Sequence, residues 1–346
     1  MITRRTALAT VASLAAAPLA ACNQATSPQA AQGAAQTPGR DLAQSAAPAS
    51  SMPPSAAPAS SLASASPGLA APATDAGVAS AAASGSWTRE AFEDAMAASG
   101  RPTKITDAAF QAIQARKPAA LATINRYLTA RFGAADPRVM AAFEAIPREY
   151  YHYVYSEKRS QADEAYETNP KPWPLGFGSV LSDYLGQAYM TQIARPAPGQ
   201  VSLEVGTGSG FQSSLLSRIV DQAYSIEIIE PIGHAVGKIF KPLGYDNIQS
   251  RVGDGYFGWP EVEGGFDIIV VTCVAQYAPP ELFKQLKPGG RLIIPIGQPF
   301  KRGQILYVYA KDENGKIHSR RDVGVFFIPM TGAMMAKPAP EAGQAS

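Results

Sequence analysis

"SLEVGTGSGFQSSLLSRIV", residues 202–220, runs from an apolar strand pattern through three alternating glycines into helical spacing, and its reading decides the fold. In an open parallel sheet a ligand binds outside the carboxyl ends of the strands, where the first strand turns through glycine into a helix. Gly206, Gly208 and Gly210 let the main chain approach a ligand with no Cβ in the way, and free amides at the helix start can meet a negatively charged group. Dinucleotide loops are spaced G-x-G-x-x-G, whereas this one is G-x-G-x-G, which disfavours a nicotinamide or flavin cofactor. A glycine turn also arises for purely structural reasons, so the flanking sequence has to decide.

Downstream, apolar runs alternate with helical patterns: AYSIEII at 223–229, NIQSRVG at 247–253, FDIIVVTC at 266–273 and RLIIPIG at 291–297. Two more, ILYVYAK at 305–311 and VGVFFIP at 323–329, leave no room for a crossover helix, and the turn-rich DENGK between them predicts an antiparallel hairpin at the sheet edge. With QVSLEVG this makes seven strands. The expected fold is α/β, a doubly wound, mostly parallel seven-stranded sheet with helices on both faces. Upstream, residues 87–146 show apolar spacing for about four short helices separated by Gly, Pro or Asp.

The strand ends supply candidate ligand contacts. Glu227 closes the second strand, 21 residues after Gly206, where an acidic side chain can accept both hydroxyls of a ribose. Gly253-Asp254-Gly255 follows the third, and a carboxylate there can accept from an adenine amino group. Singly, Glu227 or Asp254 reads as a surface or capping carboxylate. Jointly they outline an adenosine-sized crevice made by Glu204, Gly206, Thr207, Gly208, Gly210, Glu227, Asp254 and Gly255, for which S-adenosyl-L-methionine is the leading ligand.

From Asp136 to Gly332 the chain resembles the protein-L-isoaspartate O-methyltransferases. The resemblance is carried by DPRVMAAFEAIPREYY, LEVGTGSGFQSSLLSRI, YSIEIIEP, LGYDNIQSRVGDGYFGWPE, FDIIVVT, PPELFKQLKPGGRLIIPIG and FFIPMTG. It implies a Rossmann-like methyltransferase that moves a methyl group from S-adenosyl-L-methionine to the free α-carboxylate of an L-isoaspartyl residue, after which succinimide formation leads back toward aspartate. The partner it implies is a protein or peptide bearing isoaspartate.

Such a reaction asks for little acid–base chemistry, because a carboxylate is ionised at neutral pH and a sulfonium methyl is already activated. His152, His234 and His318 show no triad or metal-ligand spacing and are assigned to surface or packing roles, as is Cys273 to packing. The family's acceptor segment, I-G-x-G-Q-T-I-S-Q-P, corresponds to LGFGSVLSDY at 175–184. Ser182 keeps the family's serine and is the candidate catalytic residue, its hydroxyl orienting the acceptor carboxylate; the alternative is that Ser182 caps a helix. Val180 stands for a threonine and cannot donate a hydrogen bond, and Asp183 would repel a carboxylate if it faced the site. Upstream, A-Y-x-D-x-P becomes AYETNPKPWPLG, with Thr168 for the aspartate and two extra residues around Trp173. These departures leave two alternatives open, a different carboxylate acceptor and an inactive nucleoside-binding module.

The chain's beginning has another texture. Residues 1–22 carry Arg4-Arg5, a short apolar stretch and Leu19-Ala20-Ala21-Cys22, which reads as a secretory signal ending at a lipid-modified cysteine. The apolar part is short of the ~20 residues of a spanning helix, and the arginine pair fits either the twin-arginine or the general secretory route. Acylated, Cys22 would be barred from a disulfide with Cys273, the only other cysteine. Residues 23–86, nearly all Ala, Ser, Pro, Gln, Gly and Thr with SAAPASS occurring twice, read as a disordered tether with a coil dimension on the order of 45 Å.

The expected organisation is thus signal (1–22), tether (23–86), helical extension (87–133), methyltransferase domain (134–332) and disordered tail (333–346). The extension is expected to pack on the sheet, with an acceptor-groove cover as the other option. Removing Arg4 and Arg5 lowers the 30 basic residues to 28, equal to the 28 acidic ones, which disfavours nucleic-acid binding. The whole is expected to be a monomer, exported, lipid-anchored in the cell envelope and facing the periplasm, with the anchor its sole membrane contact. Cofactor made in the cytoplasm would then have to reach it.

Overall fold

The computed structural model describes residues 87–336; the signal, the tether and the end of the tail lie outside the described residues. Three helices come first. Arg89–Ala98 is capped by the Thr88 side chain, Asp107–Phe132 by Thr106 and closed by Gly133 in the left-handed region, and Pro137–Ala145 by Asp136. The expected break at Lys117-Pro118 does not occur, so four predicted helices are three. An interior proline costs a helix about 3 kcal/mol. Here Phe110, Ile113, Ala120, Ile124 and Leu128 form one buried stripe on both sides of Pro118, and burying it outweighs that cost.

Two small hairpins follow, β1 (Tyr153–Val154) with β2 (Arg159–Ser160) and β3 (Trp173–Gly176) with β4 (Ser179–Leu181). The main sheet then uses β5 (Val201–Val205), β6 (Gln222–Glu227), β7 (Ile248–Val252), β8 (Phe266–Val271), β9 (Leu286–Ile296), β10 (Gln304–Lys311) and β11 (Ile317–Val325) in the order β11-β10-β9-β8-β5-β6-β7. Pairing is parallel from β7 to β9, while β10 runs antiparallel to both β9 and β11. The seven-stranded doubly wound sheet and its edge hairpin match the sequence expectation. One strand is corrected: β11 is the largely polar Ile317–Val325, and the chain leaves the sheet before Phe326. An edge strand has one neighbour and tolerates exposed polar residues, which hid it behind the more apolar stretch that follows.

Layers of apolar side chains cover the sheet. On one side the extension joins the core directly, with Phe92, Ile113 and Leu128 in the same cluster as Ile146, Tyr151 and Phe211. The extension, whose Tyr127 and Arg131 border the outer cavity described below, packs chiefly on the helices that cover the sheet and not on the strands. A fully buried carboxylate ties it down: Glu149 Oε1 accepts from Trp87 Nε1 and Gln114 Nε2, both at 2.6 Å, and Oε2 from the Tyr166 hydroxyl at 2.7 Å. The folded part also continues past the expected end at Gly332. Ala333–Ala336 forms a helical turn whose Met334 is buried against the other face of the sheet, a placement that four small and apolar residues do not announce.

Candidate active site

β5 lies between β6 and β8, so the turn after it opens at the centre of the sheet's carboxyl edge. Gly206 has φ 96°, and a Cβ there would lie 2.8 Å from Thr272 Oγ1. Only glycine fits that approach. Thr272 in turn donates to the Gly206 carbonyl at 2.6 Å, and the Gly206 amide reaches the Ile226 carbonyl at 2.9 Å. The loop is thereby held between β6 and β8 before any ligand arrives.

Around this turn lies a cavity of about 390 Å³, within the range of small-molecule sites. Of the eight expected cofactor contacts, Glu204, Gly206, Thr207, Gly208, Gly210, Glu227, Asp254 and Gly255, seven line it; Gly210 instead packs beneath, against Ile239 and Phe240. Gly210 is therefore corrected from a contact to a packing glycine. Ser182 lines the cavity too.

The carboxylates are held by amides. Glu227 Oε2 accepts from the Gly208 amide at 2.7 Å and Oε1 from the Ile229 amide at 2.9 Å. Asp254 Oδ1 accepts from the Tyr256 amide at 2.9 Å and Oδ2 from the Ala333 amide at 2.7 Å. A carboxylate oxygen has two lone pairs, so each keeps capacity for a ligand hydroxyl or amine. Glu204 is fully buried, accepting from the hydroxyls of Ser213 and Ser225, and burial pushes its carboxyl up to about 8. Burial also raises Glu227, against the pull of its amide donors.

Among the described residues, three carboxyl groups and no Lys or Arg line this cavity. Such a lining favours a cation such as a sulfonium or ammonium and opposes phosphates. Gln212 adds a buried Oε1 without a hydrogen-bond partner, an acceptor available to a ligand N–H or O–H. The residues present therefore fit a cationic nucleoside.

A second cavity of about 750 Å³ adjoins the first, lined among others by Tyr127, Arg131, Asp183, Tyr189 and Phe326. The two share Val180, Ser182 and Ile328. Ser182 is not the cap of the helix Tyr184–Ala194; Asp183 is, its Oδ1 accepting from the Gly186 amide at 2.8 Å. Asp183 borders the outer cavity and not the acidic one, which Glu204, Glu227 and Asp254 line, so carboxyl groups stand on both sides of the junction at Ser182. The altered segments upstream form one unit: Glu167 accepts from Trp173 Nε1 at 3.0 Å, and the Glu167 carbonyl accepts from the Tyr184 hydroxyl at 2.8 Å.

Sequence reasoning missed several lining residues. Phe177 and Phe300 border the acidic cavity with φ 53° and 57°, left-handed backbone that costs a non-glycine residue about 1 kcal/mol or more and gathers at functional sites. Neither φ value has a sequence signal at a phenylalanine. Gln212 stood inside the quoted glycine segment and was readable there; Gln187 carries no motif of its own. His152 is buried, and desolvation holds its imidazole well below the usual range, while His234 and His318 lie at the surface. Cys273 is buried with its thiol raised by desolvation, as packing requires.

Comparison with known proteins agrees with this geometry. Residues 123–335 match the family model for protein-L-isoaspartate(D-aspartate) O-methyltransferase. Protein-L-isoaspartate O-methyltransferase 2 of Syntrophobacter fumaroxidans is 40% identical over 237 residues, covering 68% of this chain and 92% of that protein. The protein of the same name from Polaromonas sp. is 42% identical over 199 residues, 58% of this chain and 90% of the relative. A solved protein-L-isoaspartate O-methyltransferase superposes with a TM-score of 0.55 at 25% identity, covering 63% of this chain and 67% of its own. A Plasmodium falciparum structure, described as a complex with S-adenosyl-L-homocysteine, superposes at 0.50 with 21% identity over 60% of this chain and 97% of its own, a likeness of fold. With an acidic nucleoside cavity, a serine at the junction of two chambers and a family match over most of the folded chain, this protein belongs to the protein-L-isoaspartate O-methyltransferases.

Proposed function

We propose that the protein transfers the methyl group of S-adenosyl-L-methionine to the free carboxylate of L-isoaspartyl residues in damaged proteins, the committing step of their repair. The observation that carries this reading is Ser182 on the shared wall of the acidic and outer cavities, where a methyl donor in one and a peptide in the other would meet. The cofactor, when bound, supplies a sulfonium methyl that needs no further activation.

The protein's residues then bind and align. The main chain at Gly206–Gly208 cups the nucleoside, Glu227 accepts from its ribose hydroxyls and Asp254 from its adenine amine. Ser182 donates to one acceptor oxygen and turns the other toward the methyl group. Because the acceptor is ionised at neutral pH, no general base is required, and the rate enhancement comes from holding oxygen, carbon and sulfur in line. Incubation with labelled cofactor and an isoaspartyl peptide beside its aspartyl twin is expected to give ester on the isoaspartyl peptide alone. Cofactor binding with ester on neither peptide would overturn the reading.

We further read residues 1–22 as an export signal ending at a lipidated Cys22, so that the enzyme works as a monomer on the 23–86 tether in the cell envelope, facing the periplasm. Among the described residues no helix is long and apolar enough to cross a membrane. Cys22→Ser is expected to move the protein from the membrane fraction to the soluble one, and an unchanged membrane fraction would refute the anchor.

A further inference from the structure

Behind the shared wall sits a cation with no ligand-facing role assigned. Arg148 is 2% exposed. Its Nη1 donates to Gln187 Oε1 at 2.6 Å, its Nη2 to the Ser182 main-chain carbonyl at 2.8 Å, and its Nε has no hydrogen-bond partner among the described residues. Its bonded partners are thus an amide and a carbonyl, both neutral, and its guanidinium lies 4.7 Å from the Phe211 ring centre. Desolvation lowers its pKa to about 10, which still leaves it charged at neutral pH. A buried cation bonded to neutral groups is costly, and both groups it bonds belong to residues lining the acidic cavity.

The bond to Gln187 determines how that side chain is turned. A guanidinium only donates, so the amide oxygen of Gln187 must face Arg148 and its NH₂ must face away. That NH₂ has no hydrogen-bond partner among the described residues, and Gln187 borders the acidic cavity but not the outer one. An acceptor carboxylate reaching this wall meets repulsion from Glu227 and Asp254 on the acidic side and from Asp183 on the outer side. It therefore needs donors at the wall itself, and Val180 offers none where the family pattern has a threonine.

We propose that Gln187 donates the second hydrogen bond to the acceptor carboxylate, beside Ser182, and that Arg148 is the positioning residue that turns its amide for that task. This rests on the isoaspartyl reading above. It also accounts for the free oxygen: with one carboxylate oxygen held by the Ser182 hydroxyl and the Gln187 NH₂, the other is left to face the methyl group. Arg148 fixes both donors at once, through the Ser182 carbonyl and the Gln187 oxygen.

The test uses the full chain, an isoaspartyl peptide and labelled cofactor. Gln187→Leu should raise KM for the peptide ~10-fold or more, the loss of a hydrogen bond to a charged group, with KM for the cofactor within about 2-fold. Gln187→Glu should pair with Arg148 and melt no lower than wild type, yet lose more activity than the leucine variant, since carboxylate then faces carboxylate. Arg148→Met should raise the peptide KM as well, and the double variant with Gln187→Leu should be little worse than either single one, whereas a merely structural Arg148 would give additive losses. A wild-type peptide KM in folded Gln187→Leu and Gln187→Glu, or additive losses in the double variant, would overturn the proposal. An inactive wild type that binds cofactor would instead overturn the isoaspartyl reading on which it rests.

Discussion

Asp254 Oδ2 accepts a hydrogen bond from the Ala333 amide at 2.7 Å, so a carboxylate of the nucleoside cavity also holds the last helical turn among the described residues. The contact is close: a Cβ on Gly332 would fall 2.4 Å from that same oxygen. Met330 and Thr331, just before it, line the cavity. Truncation after Gly332 removes the donor to Asp254 and the buried Met334 side chain, worth about 1.5–3 kcal/mol. The truncated protein is expected to melt roughly 5 °C lower and to bind S-adenosyl-L-homocysteine more weakly by calorimetry. Unchanged values for both would show that the turn is not part of the site.

Glu204 makes stability depend on pH. Its carboxyl is raised from 4.5 to about 8 in the fold, chiefly by desolvation, so between these pH values the native state keeps a proton that the unfolded chain has released. The contribution is complete below pH 4.5 and is lost as pH rises through 8. Glu204→Gln imitates the protonated form. It should melt close to wild type at pH 5 and above it at pH 9; equal curves at both pH values would mean that the carboxyl is already ionised at neutral pH.

Glu149 is expected to matter for stability and not for binding. Replacing it with leucine leaves the donors of Trp87, Gln114 and Tyr166 unsatisfied in the interior, at a cost of about 3 kcal/mol or more in denaturant unfolding. Trp87→Phe removes one of the three bonds and should cost about 1 kcal/mol. Glu149 lines neither cavity, so well below the melting temperature KM for cofactor and peptide should stay as in wild type.

Gly206→Ala tests the glycine turn itself. The substitution combines a φ of 96° with a Cβ 2.8 Å from Thr272 Oγ1, and shifting the loop moves the amides that face the ligand. Affinity for the nucleoside should fall at least 10-fold, a loss of about 1.4 kcal/mol. Gly199→Ala is the control, because it also has positive φ, 82°, but has open space where the Cβ would lie and borders neither cavity.

Much of this was legible in residue order. Each strand-ending carboxylate follows a run of strand periodicity, and Gly206, Glu227 and Asp254 stand at local boundaries that a linear reading detects. Ser182 was legible through its segment, although its place at the junction of two cavities was not. Pro118 shows where local rules fail: its breaking tendency is a property of one residue, while the buried stripe from Phe110 to Leu128 exists only because a core lies beside it. Gln187 and Arg148 show the same from the other side. They are 39 positions apart, and neither type has a function until a donor-only group meets an amide.

By itself the sequence determined the number and mostly parallel character of the strands and the glycine turn with its acidic companions, because these depend on side-chain period and on backbone freedom at single residues. Tertiary structure alone decided which face of the acceptor segment looks inward, that Asp183 and not Ser182 caps the helix, and that the Ala333–Ala336 turn returns to Asp254. Those outcomes depend on distances between segments, which are set by packing and have no counterpart in the spacing of letters along the chain.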